Sequence, residues 1–283
     1  MTPSEFDIVI EPGRKKMFYW KDLWRFKGLF YYLAWRDILV RYKQTAIGVL
    51  WSVLRPFLTI VVFTVVFNKL GNFQTDGNVP YAILVCVGML PWQYFSSAFS
   101  ESANSLVSNS NLLTKVYFPR LIVPASTVIV CLIDFFISFI ILIGLFIFYR
   151  FVPDWRILLL PVFLLLATIT AMGIGLYVAA LNVKYRDFRY VIPFIVQFGL
   201  YISPVGFSSN VIYANPSIPS FVKYIYALNP MVGVIDGFRW SLCGGNVHLH
   251  IPEFIASCVV SIAFLFIGIS YFRRMEKTFA DVI

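Results

Sequence analysis

Long uncharged runs alternate along this chain with short polar segments that are mostly basic. Residues 77–100, 157–183, 190–222 and 254–272 contain no Asp, Glu, Lys or Arg, and 121–149 contain only Asp134. An earlier run, 56–68, is uncharged behind Arg55. A membrane-crossing helix needs about 20 apolar residues. The pattern therefore predicts six spans, over 50–69, 81–100, 121–149, 157–181, 190–209 and 254–272. The run from 190 exceeds one span, and Pro204, Pro216 and Pro219 set the end of its helix near 209.

Composition agrees with that count. Hydrophobic residues make up 59% of the 283 and charged residues only 13%, where soluble domains carry about 25%. Mean hydropathy is +0.79. These values exclude a water-soluble enzyme and a disordered chain. The first residues, with Thr2, Ser4, Glu5 and Asp7, do not resemble a cleavable signal peptide, so insertion rests on the internal spans.

The net charge of +9 says more through its placement than its size. If both termini are cytoplasmic, 18 of the 23 Lys and Arg residues lie in inner segments and five in outer ones. That asymmetry fixes the orientation. Nine of the basic residues precede the first span, where they suit anionic lipid better than nucleic acid.

Three segments outside the spans carry information. Residues 18–45 interleave aromatic and basic side chains, as in a helix lying along the inner interface or one extending the first span. Ser and Asn fill eight of the twelve positions 100–111, and the apolar Leu112 and Leu113 follow. That inner loop is either a protruding helix that docks into another protein or a solvated linker. Residues 210–253 are too apolar for a free outer loop and predict short re-entrant helices packed into the membrane.

Catalytic signatures are missing. The sequence has no G-x-x-x-x-G-K-[ST] phosphate loop, G-x-S-x-G elbow or H-E-x-x-H helix, so neither catalysis nor ATP hydrolysis is expected of it. His248 and His250 lack a third partner for a metal. Cys86, Cys131, Cys243 and Cys258 form no C-x-x-C pair and are expected to act as buried small hydrophobes. Asp134 is the one clear ionisable residue inside a span, expected to make a helix–helix hydrogen bond rather than serve ion coupling.

Five segments, in order, resemble the type-2 ABC exporter permeases, most closely the branch that exports O-antigen, capsule and teichoic acid. They are Val40-Arg41-Tyr42-Lys43-Gln44-Thr45-Ala46-Ile47-Gly48-Val49-Leu50-Trp51 with Pro56, and Leu113-Thr114-Lys115-Val116-Tyr117-Phe118-Pro119-Arg120 with Pro124. Next come Leu181-Asn182-Val183-Lys184-Tyr185-Arg186-Asp187-Phe188, and Ser203-Pro204-Val205. The fifth is Leu228-Asn229-Pro230-Met231 with Phe238-Arg239. The resemblance spans about residues 35 to 275. It implies a homodimer of six-span subunits in a bacterial cytoplasmic (inner) membrane, joined by two nucleotide-binding ATPase subunits that bind the ATP and Mg. No cofactor is expected in this chain itself. The implied cargo is a lipid-linked polysaccharide.

The resulting expectation is an all-α integral membrane protein. Residues 1–48 form a cytoplasmic N-terminus with an amphipathic interface helix, 49–275 the six-span transmembrane domain, and 276–283 a cytoplasmic tail. The resemblance implies a coupling helix near Asn109, Asn111, Leu112, Leu113 and Lys115, with Arg186 and Asp187 near the same ATPase interface. Gln197 and Tyr201, four residues apart on one helical face, are expected to line a sugar channel; Tyr201 also suits an outer aromatic belt. Asn229, Pro230, Asp236 and Arg239 are expected to build an outer gate, with Asp236 and Arg239 paired at i, i+3.

Overall fold

A computed structural model describes residues 16–43, 48–66, 79–185, 187–244, 247, 249–276 and 279. Arg186, His248 and the first fifteen residues lie outside them. All regular structure among the described residues is helical. The chain runs through α1 (Lys16–Arg25), α2 (Lys27–Lys43), α3 (Gly48–Phe63), α4 (Tyr81–Ser108), α5 (Ser110–Lys115) and α6 (Ile122–Phe148). After a 3-10 turn at Trp155–Leu159 come α7 (Leu160–Lys184), α8 (Phe188–Ile202), α9 (Asn210–Tyr213), α10 (Ser220–Ala227), α11 (Pro230–Cys243) and α12 (Ile251–Met275).

Among the described residues, four helices are long and apolar enough to cross a membrane: Tyr81–Ser108, Ile122–Phe148, Trp155–Lys184 and Ile251–Met275. The shorter apolar stretches Pro56–Val66 and Phe188–Ile202 fall in the first and fifth predicted runs. The helix expected over 190–209 ends at Ile202. Its C-cap, Ser203, is extended at φ −85° and ψ 150°, the conformation that a following proline, here Pro204, imposes. The second predicted span runs on to Ser108, because its polar tail is packed rather than solvated: Ser102, Ala103, Ser105 and Leu106 are buried.

α4 is the central helix, its apolar window 83% buried. It packs against α6, α7 and α11. One apolar core fills the middle of this bundle, around Phe99, Phe135, Ala171, Ile235 and Phe238. A second core, around Leu33, Leu106, Leu113, Phe118, Leu176 and Phe272, closes the end where α2, α5 and the end of α12 meet. α7 and α12 cross at two glycines. A Cβ on Gly268 would fall on the carbonyl oxygen of Gly173, and one on Gly173 would come within 2.6 Å of the Leu265 nitrogen. Thr170 and Ser261 hydroxyls, 2.9 Å apart, tie the same two helices. Such bonds hold helices together where water is absent.

Candidate functional site

One end of the bundle is assembled by side chains that reach between segments distant in sequence. Asn182 at the end of α7 donates to the Ala103 carbonyl and to Asn104 Oδ1, each at 3.1 Å, which sets the α7–α8 turn beside the end of α4. Asn109 breaks α4 from α5; its Nδ2 donates to the Ser105 carbonyl and its Oδ1 accepts from Arg36 Nη2, both at 2.9 Å. The short helix α5 that follows has two faces. Leu113 is 6% exposed and lies in the chain's own second core, with Leu112 packed against that core. Asn111, Thr114, Lys115, Val116 and Tyr117 are exposed. Of the two leucines in the implied coupling helix, Leu113 therefore anchors α5 to the bundle. Asp187 is exposed at the start of α8, at the same end of the bundle.

A cavity of about 570 Å³ opens between α2, α3, α4, α6 and α8. Its polar lining includes Arg41, Gln93, Ser97, Glu101, Asp134 and Gln197. Arg41 Nη1 lies 2.5 Å from Asp134 Oδ2, and its Nη2 lies 2.8 Å from Glu101 Oε1. The Tyr42 hydroxyl also donates to Asp134. The hydrogen bond expected of Asp134 is thus made, to α2. Sequence reading missed Arg41 as the partner because it precedes the spans. The available signal was that a carboxylate inside an apolar helix must be paired.

Gln197 opens onto this cavity. Tyr201, one turn further, is 65% exposed and belongs to a longer row on α8 with Tyr190, Phe194 and Phe198, all exposed. Spacings of three and four residues keep that row along one side of the helix. The rings of Phe194 and Phe198 lie 4.1 Å apart.

At the other end, the Ser-Pro-Val and Asn-Pro-Met segments touch. Asn229 Oδ1 accepts from the Met231 main-chain N–H at 3.0 Å, capping α11, and its Nδ2 donates to the Ser203 hydroxyl at 3.0 Å. Pro230 occupies the first helical position, where its missing N–H costs nothing. Asp236 and Arg239 are buried at 5% and 1% exposure. Arg239 donates to the carbonyls of Phe207 at 2.7 Å and Val205 at 2.9 Å. The Tyr81 hydroxyl holds the adjacent Gly206 carbonyl at 2.5 Å. Arg239 therefore braces the loop that follows α8, through main-chain acceptors that its spacing to Asp236 does not reveal.

The four expected outer residues thus lie together, and α5 and Asp187 share the opposite end. Gln197 sits between, on the cavity wall. The description "ABC-2 type transporter" fits a family model over residues 28–243. The O-antigen export system permease protein RfbA of Myxococcus xanthus is 28% identical over 263 residues, 93% of this chain and 98% of that protein. A protein of the same name from Klebsiella pneumoniae is 25% identical over 253 residues, 88% of this chain and 92% of its own. The polysialic acid transport protein KpsM of Escherichia coli is 23% identical over 257 residues, 86% and 91% of the two chains. With most of its length matched by that model, and helices able to cross a membrane, the chain belongs to the ABC-2 type transporter family.

Proposed function

We propose that this chain is the permease subunit of an ATP-driven exporter that carries a lipid-linked, O-antigen-like polysaccharide across the bacterial inner membrane. The observation that carries this reading is the polar cavity beside the aromatic row of α8, set in an otherwise apolar bundle. Sugar hydroxyls lose their water on entering hydrocarbon unless other partners replace it. Gln93, Ser97 and Gln197 offer such partners, and aromatic faces accept the apolar C–H surfaces of pyranose rings. The names of the relatives point to the same class of cargo.

In this reading the chain makes six spans with both termini cytoplasmic, α3 and α8 completing the set. The helices α9 to α11 are re-entrant on the outer side, and α1 and α2 lie at the inner interface with Trp20, Trp24, Tyr31 and Trp35 exposed to lipid. A second copy covers the open side of the cavity and closes the channel. Two ATPase subunits, which bind the ATP and Mg, seat on the exposed face of α5 and near Arg186 and Asp187. Their closure on ATP shifts α5 and opens the path, while Asn229, Pro230, Asp236 and Arg239 hold the outer end.

The test is co-expression of the chain with its ATPase subunit in a host that makes a lipid-linked O-antigen but lacks its own permease. The expected result is a complex of two permeases and two ATPases, with polymer appearing at the cell surface. Polymer retained inside cells that contain the assembled complex would refute the cargo. Failure of the ATPase to co-purify would refute the assembly.

A further inference from the structure

We propose that Glu276 is a positioning residue of energy coupling, tying the segment after α5 to the end of α12 and to α1. A displacement of α5 then reaches both helices together. The proposal rests on the reading of α5 as the ATPase-docking helix.

The contacts are specific and reciprocal. Glu276 Oε1 accepts from the Arg120 main-chain N–H at 2.9 Å and from the Tyr19 hydroxyl at 3.4 Å. In return Arg120 Nη1 donates to the Glu276 carbonyl at 2.5 Å. The Arg120 guanidinium also stands 5.7 Å from the centre of the Phe279 ring, and that of Arg273 stands 4.5 Å from the Tyr19 ring. Phe279 is 1% exposed and meets Phe272 edge to face. The Glu276 carboxylate thus takes the Tyr19 hydroxyl of α1 and the Arg120 main-chain N–H, while the Arg120 guanidinium binds the Glu276 carbonyl at the end of α12.

The placement gives this node its consequence. Arg120 lies five residues beyond Lys115, the last residue of α5, and two residues before Ile122, the first of α6. Along the chain, a push on α5 therefore reaches Arg120 before it reaches α6. α12 packs backbone to backbone on α7 at Gly173 and Gly268, which limits how much of that push sliding can absorb. Packed elements of this kind pass displacement on rather than deforming. Burial lifts the Glu276 carboxyl above the usual carboxylate range, and the bonds from Arg120 and Tyr19 and the charges of Arg120 and Arg273 only partly offset it. Glu276→Gln keeps the acceptor oxygen for both bonds and is the conservative variant. Glu276→Ala removes the anchor.

Two measurements test the proposal. Hydrogen exchange on the permease alone should show faster exchange over 116–123 and 19–26 in Glu276→Ala, by about tenfold for the loss of a buried hydrogen-bond anchor, with α4 unchanged. In the full complex with ATPase, Glu276→Ala should keep assembly and ATP turnover. It should move about fivefold less O-antigen polymer per ATP, the scale of coupling changes from non-contact positions. Glu276→Gln should restore that ratio. Faster exchange with an unchanged ratio would make Glu276 a fold contact only and overturn the proposal, as would unchanged exchange. If Glu276→Ala does not accumulate, Tyr19→Phe removes one hydroxyl from the same node, and an unaltered ratio there overturns it equally. If wild-type permease fails to bind ATPase, the docking role of α5 falls and the coupling role with it, while the exchange arm still shows whether the anchor exists.

Discussion

At the residue scale, the buried Arg239 shows what a sequence pattern conveys and what it hides. An arginine in an apolar outer segment announces a structural requirement, since an unpaired guanidinium there would be costly. Its spacing points to Asp236. The acceptors that the structure adds are main-chain oxygens of Val205 and Phe207, more than thirty residues away, and no side-chain pattern encodes them. Arg239→Ala should cost on the order of 3 kcal/mol, the loss of two hydrogen bonds from a charged donor. Thermal unfolding in detergent and ion leak in cells would both report it. Exchanging the two residues, Asp236→Arg with Arg239→Asp, should not restore stability, because a carboxylate at 239 would face two carbonyl oxygens. Arg239→Lys should recover only part, having no planar fork to span both acceptors. Full recovery in the exchanged protein would put the Asp236 pair, not the loop, in charge of this site.

Among elements, the long helices were legible because uncharged runs have one physical use at that length, while boundaries depended on local chemistry. Pro204 ended α8 seven residues before the predicted limit, and burial of Ser102 and Ser105 carried α4 eight residues beyond it. The two faces of α5 were not legible, since Leu112 and Leu113 are adjacent and nothing in a six-residue helix tells which side its own chain covers. Leu113→Asp should therefore destabilise the permease itself by several kcal/mol, placing a charge without a partner in the second core. The measurable outcome is loss of folded protein from membranes even without ATPase. Tyr117→Asp, at a residue 67% exposed, should fold within about 0.5 kcal/mol of wild type and weaken ATPase binding instead. On α8, Gln197→Leu should leave assembly intact and lower polymer export, because it removes a hydrogen-bonding group from the cavity wall. Equal export by Gln197→Leu and wild type would move the path away from this wall.

For the whole molecule, the distribution of charge predicts an arrangement that the packing bears on independently. With six spans, the 18-to-5 division of Lys and Arg predicts both inner loops and both termini on one side. Asn182 against Asn104 and Glu276 against Arg120 place the ends of α4, α7 and α12 and the start of α6 at one end of the bundle. What composition cannot show is which helix lies at the centre. α4 holds that place although α6 is more apolar, because a central helix must satisfy neighbours on every side and its small and polar residues allow close approach. The order of packing is thus a property of shape and hydrogen bonding, and hydropathy alone does not reveal it. A reporter active only in the cytoplasm, fused after Ile283, should be active, and one inserted beside Asn246 should be silent. A reporter active only outside should give the reverse. Because Arg120 and Glu276 are joined, the loop containing Arg120 must share the side of the end of α12. A cysteine placed at Tyr117 should accordingly react with a membrane-impermeant maleimide only after the cells are opened. Labelling of that cysteine from outside intact cells, with the reporter after Ile283 cytoplasmic, would break the shared-end arrangement, and with it the six-span topology and the placement of α5 against an ATPase.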